Sequence, residues 1–185
     1  MEKKLKMEKK KELRKQIALK KAGYSTAALN LLSAEILNRL EELSVFQEAH
    51  TVLLYHSLKD EVNTHAFIEK WADKKKILLP VVAGENLELH AYTGPKDLRT
   101  GSYGISEPTG ELFTAYETID VAIIPGVAFD ANNHRLGRGK GYYDRLLPHI
   151  PAFKIGLCFP FQIIEDIPTE KTDISMDMIH SLPTG

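Results

Sequence analysis

The chain has 185 residues, 43% of them hydrophobic and 26% charged. That length and balance suit one domain with a real core and exclude disorder as the main state. Its 24 Lys and Arg offset 25 Asp and Glu to a net charge of -1, so no overall field favours nucleic acid or an anionic membrane, and neither is expected as a partner.

Cys158 is the single cysteine, which excludes an internal disulfide and a cysteine-based zinc cluster. No apolar run approaches the roughly 20 residues that span a bilayer. The charged N-terminus has no apolar stretch behind it, so a secretory signal is not expected and the cytoplasm is the expected location. Nothing demands an oligomer, and a monomer is expected.

Residues 1–21 carry ten basic side chains, with Glu2, Glu8 and Glu12 among them. Leu5, Leu13 and Ile17 amid strong helix formers predict a helix, either a solvated face or a polyanion site. Met7 is an alternative start, which would make residues 1–6 a dispensable extension of a single domain over 1–185. Gly23 reads as a helix C-cap and Ser25 as the next N-cap. Leu29, Leu32, Ile36, Leu40 and Leu43 repeat at helical spacing, predicting an amphipathic helix to about residue 43.

From there strands alternate with helices. Residues 51–55 (TVLLY), 76–80 (KILLP), 120–125 (DVAIIP) and 154–158 (KIGLC) predict buried strands, residues 87–92 an edge strand or hairpin arm, and residues 174–180 a last strand. Residues 64–74 predict a helix capped by Asn63 or Thr64, and residues 141–150 a short helix stopped near Pro148. Residues 93–115 read as a long glycine-rich loop, of the kind that is usually functional. Apolar strands without polar alternation argue for a parallel sheet covered on both faces. The expected fold is α/β, Rossmann-like, with a mainly parallel sheet, helices on both faces and an N-terminal helical pair.

The chemistry concentrates in DVAIIPGVAFDANNHRLGRGKGYYD, residues 120–144. A buried strand ends at Pro125-Gly126, where ligands of open α/β sheets bind. Gly137, Gly139 and Gly141 let backbone N–H groups approach an anion, and Arg135, Arg138 and Lys140 add positive charge. The following helix is expected to point its N-terminus there. Asp144 is a hard oxygen ligand suited to Mg²⁺, and Tyr142 and Tyr143 offer flat faces. The spacing is neither G-x-G-x-x-G nor a Walker loop, since Lys140 precedes Gly141 rather than Ser or Thr. A basic surface turn is the competing reading.

RLGRGKGYYD after PGVAFD resembles the signature of the 5-formyltetrahydrofolate cyclo-ligase (methenyltetrahydrofolate synthetase) family. KKELR, YHSLKDEVNT, LLP, GISEP and TDISMD agree in order, so the likeness runs from about Lys10 to Ile179. The resemblance implies ATP- and Mg²⁺-dependent closure of 5-formyltetrahydrofolate to 5,10-methenyltetrahydrofolate, with ADP and phosphate released through an N5-iminium phosphate.

It also implies roles for single residues. Lys10 and Arg14 match a phosphate-contacting pair, and their i, i+4 spacing puts them on one helix face. Arg135, Leu136, Gly137, Arg138, Gly139, Lys140, Gly141, Tyr142 and Tyr143 match the nucleotide loop. Arg138 through Tyr142 also lie near the formyl group, with Arg138 and Lys140 as the catalytic cations. Asp144 and Asp173 match magnesium ligands, and Asp177 is a weaker candidate. Glu61 matches a folate-contacting acid, and His56 sits where the family often has an apolar residue beside the folate ring, either lining the pocket or capping the strand end. Tyr103 is a candidate for the folate wall. Trp71 is expected in the core and Cys158 as an inert small hydrophobe. The rival readings are a folate or nucleotide sensor on the same fold, a sugar-phosphate isomerase or CoA-transferase relative, and RNA binding through residues 1–21.

Overall fold

The computed structural model describes residues 2–100 and 106–183; residues 101–105, Tyr103 among them, lie outside the description. Helix α1 (Glu2–Ala22) is followed by α2 (Thr26–Glu41) and the short α3 (Ser44–Glu48). Ser25 Oγ accepts from Ala28 N at 3.1 Å, the cap expected for α2. Gly23 ends α1 without a left-handed φ, through Gly23 N to Lys20 O at 3.2 Å.

Strand β1 (Thr51–Leu53) precedes α4 (His65–Trp71), β2 (Lys76–Ala83), β3 (Asn86–Tyr92), β4 (Leu98–Thr100), β5 (Ser106–Pro108), β6 (Leu112–Phe113) and β7 (Val121–Pro125). Then come β8 (Ala128–Asp130), β9 (Arg135–Leu136), α5 (Tyr142–Leu146), β10 (Phe153–Leu157), β11 (Ile163–Ile164) and β12 (Met178–His180). The main sheet has seven strands in the order β12-β10-β7-β1-β2-β3-β6. It is parallel from β12 to β2, and β3 and β6 add antiparallel pairings at one side.

Burial explains the apolar runs. Val52, Ile77, Val121, Ile123 and Ile155 face one way and pack with Ile36, Leu40, Phe46 and Ile68 of α2, α3 and α4. Leu53, Leu78, Ala122 and Ile124 face the other way, against Leu146, Leu147 and Ile150 at and after α5. Successive strand residues point to opposite faces, so a strand covered on both sides has no polar position to show. Trp71 packs edge-on to Phe46 at 5.1 Å, as a core aromatic. Cys158 is buried, and that burial pushes its thiol up to about 12.

Several boundaries differ from expectation. Strand β1 stops at Leu53, and β2 runs on through Pro80 to Ala83 in a hairpin with β3. Pro80 is tolerated because β1 partners β2 only as far as Leu78, so the proline needs no ladder bond on that side. Helix α4 ends at Trp71 and β12 begins at Met178. The stretch 93–115 is not a plain loop: β4 pairs with β5, and β6 joins the main sheet. Helix α5 has only five residues before a 3₁₀ turn over Leu147–His149, too little helix for a useful dipole at its start. A second, three-stranded sheet, β11-β8-β9, has no counterpart among the sequence expectations.

This small sheet positions the site. Ile17 of α1 is buried against Ala128, Leu136 and Ile167, with Leu13 packed beside it. Lys10, Leu13, Arg14 and Ile17 share one helical face, so burying Ile17 turns Lys10 and Arg14 toward the segment after β9. Phe129 of β8 fills a space that two glycines leave bare. A Cβ at Gly126 would stand 2.6 Å from its ring, and one at Gly156 would also collide with it.

Candidate active site

A cleft of about 810 Å³ opens at the carboxyl end of β7. Its walls come from α1, the segment 135–145, Glu61, and residues 170–173. Gly139 (φ 99°) and Gly141 (φ 69°) occupy left-handed backbone, which L side chains rarely adopt. Those two positions let the chain fold tightly between β9 and α5.

Most cations of the cleft have a defined partner; among the described residues Lys11 and Lys140 have none. Lys10 Nζ donates to Asp173 Oδ2 at 2.6 Å, with both side chains largely buried. Arg14 Nε donates to Gly137 O at 2.8 Å, and its guanidinium lies over Gly139. Burial lowers the Arg14 guanidinium from its ordinary value, although an arginine still stays charged. Arg135, only 5% exposed, donates to Pro125 O at 3.2 Å and Asp144 Oδ1 at 3.3 Å. Its guanidinium lies 5.3 Å from the Tyr143 ring centre. Burial, with the Glu61 charge adding to it, pushes the Tyr143 phenol well above its ordinary range, so it stays a neutral donor. Lys140 Nζ has no hydrogen-bond partner among the described residues.

Across the mouth, Arg138 Nη2 donates to Asp60 Oδ1 at 2.6 Å and to Glu61 Oε1 at 2.9 Å. Burial pulls the Arg138 guanidinium down, but the two carboxylates outweigh it and raise it overall. Asp60 shows the converse: burial pushes its carboxyl up, yet Arg138 and Lys21 hold it below the usual range. Glu61 Oε2 accepts from Leu58 N at 2.9 Å. Ser57 and Thr64 stitch that loop together: Thr64 N donates to Ser57 Oγ at 3.0 Å, and Ser57 N to Thr64 Oγ1 at 3.2 Å.

The cleft gathers Lys10, Arg14, Glu61, the whole run Arg135 to Asp144, and Asp173. His56 is not in its lining; it stacks on His65 at 3.9 Å, beside the loop that carries Glu61. Burial, reinforced by His65, pulls His56 down to about 4, so the ring is neutral near pH 7. Asp177 lies elsewhere, with Oδ2 accepting from Lys154 N at 2.7 Å. Sequence reasoning missed Asp60 and Arg145. Asp60 pairs with Arg138 and Lys21, and Arg145 bonds to the Glu85 carbonyl, partners too far away in sequence for spacing to signal.

Asp144 and Asp173 converge: Asp144 Oδ1 accepts from Ile174 N at 3.4 Å, and Asp173 Oδ2 from Glu170 N at 2.9 Å. Asp144 Oδ2 and Asp173 Oδ1 accept no hydrogen bond among the described residues. Two carboxylates with spare oxygens fit Mg²⁺, which takes one or two protein carboxylates and completes its shell with phosphate and water. No group of three metal-ligating side chains occurs among the described residues.

The profile of the 5-formyltetrahydrofolate cyclo-ligase family matches residues 6–181. A 5-formyltetrahydrofolate cyclo-ligase of Haemophilus influenzae is 30% identical over 177 residues, covering 89% of this chain and 91% of its own. The Escherichia coli K12 cyclo-ligase is 33% identical over 140 residues, 71% of this chain and 77% of its own. Among solved structures, the 5,10-methenyltetrahydrofolate synthetase of Aquifex aeolicus superposes with a TM-score of 0.83 at 36% identity, covering 92% of this chain and 88% of that one.

Proposed function

The chain belongs to the 5-formyltetrahydrofolate cyclo-ligase family and is an enzyme of folate metabolism; from that premise we propose that it closes 5-formyltetrahydrofolate to 5,10-methenyltetrahydrofolate at the expense of ATP. The observation that carries the reading is the gathering of Lys10, Arg14, Arg135, Arg138 and Lys140 around one glycine loop, with Asp144 and Asp173 in the same cleft.

A formyl oxygen on nitrogen is a poor leaving group. Its attack on the γ-phosphorus of ATP expels ADP and leaves an N5-iminium phosphate. N10 then attacks the formyl carbon, the carbon–oxygen bond breaks, phosphate departs with the original formyl oxygen, and N10 gives up its proton. In-line transfer of this kind needs positioning and charge neutralisation. Lys10 and Arg14 hold the triphosphate from α1, and the loop amides hold it from below. Arg138 and Lys140 neutralise the charge that grows on the transferring group. Asp144 and Asp173 would hold Mg²⁺, which would supply positive charge to neutralise the phosphates.

Glu61 accepts hydrogen bonds from the pterin amino and amide groups, exchanging its contact with Arg138 for them. The His56–His65 stack supports the Glu61 loop through His65 Nε2 and Ser57 O, 2.9 Å apart. The test is near-ultraviolet absorbance of the methenyl product with 5-formyltetrahydrofolate, ATP and Mg²⁺. Product formation that stops when either ATP or Mg²⁺ is omitted is expected; folate binding without product would instead leave a sensor.

A further inference from the structure

We propose that Arg145 is a positioning residue, which fixes the glycine loop for the reaction proposed above by bracing it against the tip of the β2–β3 hairpin. The brace joins segments far apart in the chain. Beyond Leu78 the hairpin has lost its β1 partner, and its arm Val81–Ala83 with Asn86–Glu88 ends in a turn at Gly84 (φ 62°) and Glu85. Arg145 Nε donates to the Glu85 carbonyl at 2.9 Å, and Nη2 contacts the same oxygen. Nη2 also donates to the Lys140 carbonyl at 3.0 Å.

The next two loop residues are shaped to the same side chain. A Cβ at Gly141 would stand 2.7 Å from Arg145 Nη1, so the bare Cα leaves the guanidinium its path. The guanidinium then lies 5.5 Å from the centre of the Tyr142 ring. Arg145 therefore touches Lys140, Gly141 and Tyr142 in turn, while its other hydrogen bonds reach a separate element.

This matters because of what Lys140 lacks. Its ammonium has no partner among the described residues, so its place in the cleft is set by its own main chain. That main chain lies in a run with three glycines, which resists rearrangement least. The Arg145 bond to the Lys140 carbonyl is the long side-chain contact that limits it. A planar fork can serve two carbonyls and stack on a ring at once; a lysine in its place cannot. Arg145 itself is exposed and its bonds are to backbone oxygens, so its removal leaves the core packing intact.

The test compares full-length Arg145→Ala and Arg145→Lys with the wild type by steady-state kinetics and by amide hydrogen exchange. A loop misplaced by about 1 Å is expected to lower kcat on the order of 10²-fold, with the KM for folate unchanged. Exchange should rise in residues 138–142 and stay as in the wild type in β7 and β10. Guanidinium ion at non-denaturing concentration should restore part of the activity of Arg145→Ala and none to Arg145→Lys. Wild-type kcat and wild-type loop exchange in Arg145→Ala overturn the proposal, and so does faster exchange throughout the sheet, which would mark a general structural role. A wild-type enzyme that forms no methenyl product overturns the assigned reaction instead, and the exchange comparison then decides on the brace alone.

Discussion

Replacing Asp130 by Asn should destabilise the protein far more than its position at the end of a three-residue strand suggests. The residue is 1% exposed, and its carboxylate takes four N–H donors on two oxygens. Oδ1 accepts from Asn132 N at 2.9 Å and His134 N at 3.0 Å; Oδ2 accepts from His134 Nδ1 at 2.9 Å and Ile167 N at 3.0 Å. An amide keeps one oxygen and sets an NH₂ against the other two donors. Hydrogen bonds to a charged group are worth about 1.5–3 kcal/mol each, so losing two costs about 3–6 kcal/mol. For a chain of this size each kcal/mol moves Tm by about 2–4 °C, giving a drop of about 6–24 °C.

The pH dependence gives an independent check on the same carboxylate. Burial pushes the Asp130 carboxyl up, but bonds from His134, Ile167 and Asn132 outweigh it and hold it below the unfolded value of 3.8. A depressed carboxyl contributes stability that is present above the unfolded pKa and lost as pH falls through the folded one. In urea unfolding, the gap between wild type and Asp130→Asn should be constant from about pH 5 to 8 and narrow only below about pH 4. A variant within about 0.5 kcal/mol of wild type at pH 7, the range of ordinary surface changes, refutes the hub. So does a gap that closes between pH 8 and 5.

Lys140→Ala should cut ring closure by about 10²–10³-fold, the usual cost of one preorganised electrostatic group, with an unchanged urea midpoint because the ammonium has no internal partner. Asp144→Asn should shift the Mg²⁺ titration of activity to higher concentration; an identical titration would remove Asp144 from the metal. Deleting residues 1–6 should leave the kinetics intact, since the ion pair lost with them, Lys6 with Glu2, is local to the helix start. Deleting residues 1–15 removes Lys10 and Arg14 and should raise the apparent KM for ATP, which equal KM values would contradict.

The parallel core was legible because burial on both faces imposes one pattern. Val52, Leu53, Ile77, Leu78, Ile123 and Ile124 all meet apolar neighbours whichever way they point, so unbroken apolar runs mark their strands. Helix α2 was legible through its cap and its stripe. The small sheet was not, because β9 and β11 have two residues each and no alternation can be read in two positions. The length of β2 was hidden by Pro80, which reads as a stop and lies where the ladder has already lost one partner.

The glycine loop announced itself through composition, since alternating glycines and cations have few uses apart from holding an anion. Its supports did not. Asp60 acts through Arg138 and Lys21, 78 and 39 positions away in sequence, and Arg145 acts through a backbone carbonyl, 60 positions away, that no residue type marks. Such contacts exist only once the chain is folded. The family resemblance put His56 beside the folate ring; in the fold its ring stacks on His65, a contact that sequence alone does not mark.

In the proposed reaction the formyl oxygen passes into phosphate, and the fate of that atom can be followed directly. With 5-formyltetrahydrofolate labelled by ¹⁸O in the formyl group, one turnover with ATP and Mg²⁺ should place the label in inorganic phosphate. Label released to water, with unlabelled phosphate beside the methenyl product, would contradict the phosphorylated intermediate and the roles assigned to Arg138 and Lys140.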